Sequence, residues 1–310
     1  MIAQLELEWL GGPAASRFRR RRPGADDLPW GSLAAAAPSL PDEVAAAARA
    51  SFTDGAFSEY ASAAAFAALA SALLEAGAPI DLIAMAGDFV VDEMVHVELN
   101  ARLAMELGGA APYAVDLDKV APLVDAALPA IERAAELAVK ISCIGEALSV
   151  PVLSGSLRAA GHPLVRAVLA RLARDEPPHA RIGWLILDWA EGRLDAARLA
   201  VVAGEALAAY APLWRQASDD ADPAHRRTLG WMDGATYRRA LTRAVRERVA
   251  RPLAARGIAV DTARLDLGEP GGSAGPDLLR GRPGGRLRPA GRSTQRPGLF
   301  PGLGEPWRRR

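Results

Sequence analysis

The chain has a single cysteine, Cys143, in 310 residues. That excludes an internal disulfide and any four-cysteine iron or zinc site. Lysine is almost missing too: only Lys119 and Lys140 stand among 37 basic residues. The arginine excess reads as the codon bias of a GC-rich bacterial genome rather than as chemistry. Aromatic residues make up 5%, strand-like alternation is scarce, and alanine dominates. An all-α fold is expected from such a composition. No charge-free apolar run reaches the roughly 18 residues of a membrane span. No apolar stretch follows the early arginines as it would in a secretion signal. The expectation is a soluble cytoplasmic protein with no membrane partner.

Net charge is zero but unevenly spread. Residues 278–310 hold nine arginines and one glutamate, and residues 1–24 hold five arginines and two glutamates, which leaves −11 on the remainder. Residues 1–40 read as an irregular segment with a short strand around Leu5, Leu7 and Trp9. Arg17 to Arg22 read as a solvated loop. No nucleic-acid partner is expected, because neither a basic helix nor an aromatic platform accompanies that run.

Helices are predicted over 41–51, from Asp54 to Glu75, over 79–107, over 120–159 with bends at Pro129 and Pro151, and over 163–191. Gly77-Ala78-Pro79 and Gly161-His162-Pro163 supply the turns between them. Residues 41–192 form the main helical unit, and 193–257 add accessory helices near 195–217 and 234–255. Residues 258–310, rich in glycine, proline and arginine, are expected to be a disordered tail.

One pattern repeats. Asp92-Glu93-Met94-Val95-His96 matches, in type, Asp175-Glu176-Pro177-Pro178-His179. Glu-x-x-His on a helix stacks a carboxylate and an imidazole one turn apart, where both reach one metal ion. Glu59 precedes Glu93 by 34 residues and Glu146 precedes Glu176 by 30. At ~1.5 Å of rise per residue, Glu146 and Glu176 stand at nearly the same height above their turn, roughly 22 against 20 Å. Glu59 and Glu93 differ by about one turn on the same reckoning. Each carboxylate continues an apolar stripe: Glu59 with Phe66, Leu69 and Leu73, Glu93 with Leu82, Ala86 and Phe89. Glu146 runs with Val139, Cys143, Val150 and Leu153, and Glu176 with Val165, Leu169 and Leu172. A lone buried carboxylate would protonate, and four together repel. A pair of cations resolves both problems. The candidate metal ligands are therefore Glu59, Glu93, His96, Glu146, Glu176 and His179. This oxygen-rich set without thiolate favours iron or manganese. Asp92 and Asp175 are placed to accept the free ring N–H of the histidine on the opposite helix, the alternative being plain surface charges. Pro177-Pro178 breaks a helix unless Asp175 caps a restarted one. Glu98, Glu106, Glu132 and Glu136 read as solvent-face charges, Cys143 as packing, Trp184 and Trp189 as packing, and His162 and His225 as without a role. Tyr60 points away from the site.

At these residues the chain, over about 50–192, resembles the ferritin-like di-iron carboxylate superfamily. Bacterioferritin, rubrerythrin, the ribonucleotide reductase small subunit, acyl-carrier desaturases and bacterial multicomponent monooxygenases share the pattern. The doubled Asp-Glu-x-x-His is similar to the monooxygenase and desaturase forms, while Pro-Pro departs from them. The resemblance implies an antiparallel four-helix bundle with additional C-terminal helices. It implies two iron ions, one on Glu59, Glu93 and His96 and one on Glu146, Glu176 and His179, with some carboxylates bridging. It further implies O2 or peroxide as reactant, a small organic substrate near Ala61, Ala63, Ala86 and Ala147, and an external electron donor. A homodimer is compatible with this. The alternatives are an iron-handling or peroxide-reducing protein, or a non-enzymatic scaffold.

Overall fold

The computed structural model describes residues 2–116, 120–122, 124–216 and 222–262. The tail expected to be disordered lies almost wholly outside these residues. Strand β1 (Ile2–Gln4) is followed by helices α1 (Gly12–Arg21), α2 (Ser32–Ala36), α3 (Asp42–Glu75) and α4 (Ile80–Glu106), then strand β2 (Ala114–Asp116). A continuous rod comes next: α5 (Ala130–Ala138), a π-helical segment (Val139–Glu146) and α6 (Ala147–Ala159). Helices α7 (Pro163–Trp189), α8 (Ala196–Gln216), α9 (Pro223–Leu229) and α10 (Gly234–Ala244) follow. A second π-helical stretch (Val245–Ala250) leads into α11 (Arg251–Ala254). The described fold is all-α apart from one antiparallel pair, β1 with β2, in which Ile2 lies opposite Asp116.

The helix ends follow from local chemistry. Gly77 adopts φ 62°, open to glycine at little cost. The Ala78 N–H then reaches the Leu73 carbonyl at 3.0 Å and the Gly77 N–H reaches Leu74 at 3.2 Å. This pairing closes the last turn of α3, and Pro79 opens α4. His162, expected to have no role, caps α7: its Nδ1 accepts the Leu164 N–H at 3.3 Å.

Several boundaries differ from the sequence reading. Residues 42–75 form one helix rather than two. Asp54 does not begin a helix but lies buried within this one, where it accepts the Tyr113 hydroxyl at 2.7 Å. Residues 120–122 and 124–129 are not helical, and Pro129 sits at the start of α5 instead of bending a longer helix. Arg17 to Arg21 lie on helix α1 rather than in a loop. Arg22 is buried, with its guanidinium 5.9 Å from the centroids of both the Trp9 and Phe18 rings, which themselves pack 5.7 Å apart. Its Nε meets Glu98 at 3.1 Å, so Glu98 is not a solvent-face charge. Glu136 is likewise buried and takes Arg198 Nε at 2.5 Å. Glu106 accepts the Gly31 and Ala34 N–H groups at the start of α2, and Glu132 is half-buried in the first turn of α5.

By length and mean hydropathy, Asp42–Glu75 and Ala130–Ala159 are each long and apolar enough to cross a membrane. In these two helices 61% and 83% of the apolar window is buried inside the fold, so here they are core helices.

Two apolar layers flank a polar one. Phe52, Val95, Leu99, Leu103, Leu164 and Leu172 form one layer. Phe66, Leu69, Leu82, Phe89, Ile182 and Ile186 form the other. Helices α3, α4 and α7 thread both layers, and residues 59, 93, 176 and 179 fall between them.

Asp54 gives a stability prediction. Burial pushes its carboxyl up to about 7, and the Tyr113 hydrogen bond only partly offsets this. A folded value above the unfolded one means that its contribution is full at low pH and is lost as pH rises to about 7. Asp54→Asn keeps an acceptor for Tyr113 and cannot ionise. Its gain over the parent should be near zero below about pH 4, grow through the mildly acidic range and reach on the order of 4 kcal/mol above neutrality. Denaturant melts at both pH values check this; an equal effect at both would contradict the buried-acid account.

Candidate metal centre

Every sequence-predicted ligand arrives in the polar layer. Glu59 on α3 is 4% exposed; Glu93 and His96 on α4 are 0%; Glu146, at the end of the π-helical segment, is 1%; and Glu176 and His179 on α7 are 1% and 0%. They make two overlapping groups. One ligand atom from each of Glu59, Glu93, His96 and Glu176 lies within 4.8 Å of the others, and the same holds for Glu93, Glu146, Glu176 and His179. Glu93 and Glu176 belong to both. Each buried group could hold a metal ion, and two carboxylates are common to both groups.

The distances show a pseudo-symmetric arrangement. His96 Nδ1 is 3.2 Å from both Glu93 Oε2 and Glu176 Oε1. His179 Nδ1 is 3.0 Å from Glu93 Oε1 and 3.4 Å from Glu176 Oε2. His179 Nδ1 and Glu176 Oε2 nonetheless have no aligned hydrogen-bond partner. Buried polar atoms that converge without bonding one another want a common partner between them. On the outer side, His96 Nε2 faces Asp175 Oδ2 and His179 Nε2 faces Asp92 Oδ2, each at 3.6 Å. Both contacts are longer than a hydrogen bond.

The metal-free cluster balances its charge internally. Burial, then the Glu93 and Glu176 charges, hold Glu59 well above the carboxylate range. Burial, then Glu176 and Glu93, do the same to Glu146. Burial also works against ionising Glu93 and Glu176, but the two histidines win and hold both low. Burial opposes charging the imidazoles; contacts with Asp175, Glu176 and Glu93 nevertheless raise His96, and Glu93, Asp92 and Glu176 raise His179. Two neutral carboxyls, two carboxylates and two imidazoliums sum to zero. Four carboxylates with neutral imidazoles and two dications also sum to zero, so exchanging protons for metal buries no net charge.

Pro177 and Pro178 do not interrupt α7, and Asp175 is not a cap. The prolines delete two backbone donors, yet Glu176 and His179 keep their one-turn spacing inside a continuous helix. The π-helical segment accompanies them on the facing rod. Such segments are rare and cluster at functional sites. Here α7 approaches it so closely that a Cβ on Gly183 would stand 2.7 Å from Cys143 Sγ and 3.0 Å from the Ala138 carbonyl oxygen. Cys143 is a buried packing residue in that contact.

Other contributors carried little signal in the sequence. Ser62, one turn after Glu59, stands 2.8 Å from Glu146 Oε1 and 3.1 Å from Glu93 Oε1. Its signal was a hydroxyl at the third position after a ligand, inside an apolar stripe. Phe89 packs on the His179 ring at 4.2 Å and Phe66 at 5.4 Å, sealing that side. Asn100 donates to the His96 carbonyl at 3.1 Å and steadies that turn. Tyr210 on α8 is buried, and burial first and then Glu146 raise its phenol. Ala61, Ala63, Ala86 and Ala147 are buried at 4% or less. A cleft of about 460 Å³ lies farther along α7, between Leu187, Asp188, Leu199, Arg256 and Ile258. It begins two turns beyond His179. No family model matches the chain, and no curated protein or solved structure matches it either.

Proposed function

We propose that this chain is a ferritin-like di-metal carboxylate protein, its bundle formed by α3, α4, the α5–α6 rod and α7, and that it oxidises a small organic substrate at the expense of O2. The observation that carries the reading is the pair of four-residue groups sharing Glu93 and Glu176, all six side chains buried. The donor set fits two iron ions, with manganese as the other hard candidate. Glu59 and His96 would complete one position, and Glu146 and His179 the other. When bound, such ions supply the electron exchange with O2 that carboxylates and imidazoles lack. The chain's own part is to hold the donors in register, keep bulk water out with the Phe66 and Phe89 layer, and set an aspartate carboxylate 3.6 Å behind the outer nitrogen of each imidazole. Electrons would come from an external donor.

A second reading is iron handling or peroxide reduction. The closure of the cluster favours it, since each of the six is at most 4% exposed. Anaerobic reconstitution of the full chain with Fe(II), followed by O2, separates the readings. Two irons per chain and a transient visible band support the oxidase. Accumulation of many irons favours storage, two inert irons leave a structural role, and no stoichiometric binding refutes the metal centre itself.

A further inference from the structure

The two halves of the cluster match at the ligands and differ one layer out. Asp175, behind His96, has both oxygens taken by guanidiniums: Arg171 Nε reaches Oδ2 at 2.5 Å and Arg174 Nε reaches Oδ1 at 2.9 Å. That same Oδ2 faces His96 Nε2. Arg171 is fixed in place, donating from Nη1 to the Pro23 carbonyl at 2.8 Å. Asp92, behind His179, is 38% exposed, and among the described residues no arginine or lysine forms an ion pair with it.

A carboxylate behind a ligating histidine strengthens the inner nitrogen as a donor. Guanidiniums that occupy the carboxylate's lone pairs draw that charge away from the ring. Arg171, 15% exposed, also places a poorly screened positive charge on the His96 side. Ser62, by contrast, steadies Glu146 and Glu93 on the His179 side.

We infer that the two metal positions are inequivalent: the one completed by Glu146 and His179 holds a divalent cation at least about ten-fold more tightly than the one completed by Glu59 and His96. Arg171, Arg174 and Asp175 are positioning residues that set this difference through His96. The consequence is ordered loading, with a resident cation first and an exchangeable one second. The inference rests on reading the cluster as a two-metal site.

The test is titration of the metal-free full chain with Mn(II) alone, reading free Mn(II) by its paramagnetic resonance signal. Two phases of one equivalent each are expected, separated by about ten-fold or more. In spectra of isotope-labelled histidine titrated with diamagnetic Zn(II), the His179 ring signals should shift before those of His96. Arg174→Met is the clean variant, since that side chain is 66% exposed and its loss should not disturb folding. It should tighten the weak phase several-fold and leave the tight phase unmoved; Arg171→Met together with Arg174→Met should do more. Asp92→Asn should weaken the tight phase by about ten-fold and spare the weak one. One phase of two equal equivalents, a shift of His96 first in the Zn(II) titration, or a tight phase moved by Arg174→Met overturns the inference and leaves the two-metal reading standing. Absence of any Mn(II) binding overturns both.

Discussion

Glu176→Ala is expected to abolish binding of both divalent cations, whereas Glu59→Ala removes one and keeps the other. The difference follows from membership: Glu176 stands in both ligand groups and Glu59 in one. Without Glu176 each position falls to three donors, and Glu93 is left as the single carboxylate common to both. The variants should also diverge in the metal-free protein. There Glu176 is an ionised partner of His96 and His179. Its removal strands buried imidazoliums, at a cost of about 3–5 kcal/mol for a broken buried pair. Glu59 is held in its neutral form by burial and its neighbours, so Glu59→Gln should cost far less. Calorimetric titration with Mn(II) and urea melts of chelator-treated protein measure both effects. Two equivalents bound by Glu176→Ala would sink the shared-carboxylate geometry.

The six candidate ligands were legible because the fold makes them periodic. A carboxylate that continues an apolar stripe, with a histidine one turn on, can be recognised from spacing alone. Glu59 stood out as the sole acid between Gly55 and Leu74. What spacing does not carry is which carboxylates are shared; that depends on helix rotation, and the π-helical segment resets the rotation of the rod just before Glu146. Ser62 was missed because a serine on a helix has many bland explanations until two acids are seen to meet it. Glu98 and Glu136 were misread for a related reason. Besides a basic neighbour one turn on, Arg102 and Lys140, each meets an arginine from a distant segment, Arg22 and Arg198 respectively, and no local periodicity announces a burial settled by tertiary packing. The proline pair misled in the opposite direction. Propensity forecast a break at Pro177-Pro178, but packing of α7 against α4 and the rod keeps the helix continuous.

Metal loading should invert the pH dependence of stability. In the metal-free chain, Glu59, Glu146, His96 and His179 all have folded values above their ordinary ones. For such groups the stabilising contribution is present at low pH and fades as pH rises through the folded value. Glu93 and Glu176 are shifted the other way, so their contribution is lost only as pH falls below the ordinary carboxylate range. From mildly acidic to alkaline pH the metal-free protein should therefore lose stability steadily. Cations bind the deprotonated ligands and displace the protons on these four groups, so their affinity must climb with pH. Loading two equivalents near neutrality should release up to four protons, measurable with an indicator dye in weak buffer. The melting temperature gained on adding Mn(II) should be small at mildly acidic pH and increase above neutrality, because ligand-induced stability scales with the logarithm of the ratio of free cation to Kd. A gain independent of pH, with no protons released, would mean that the cation binds elsewhere, on groups already ionised, and not among these six side chains.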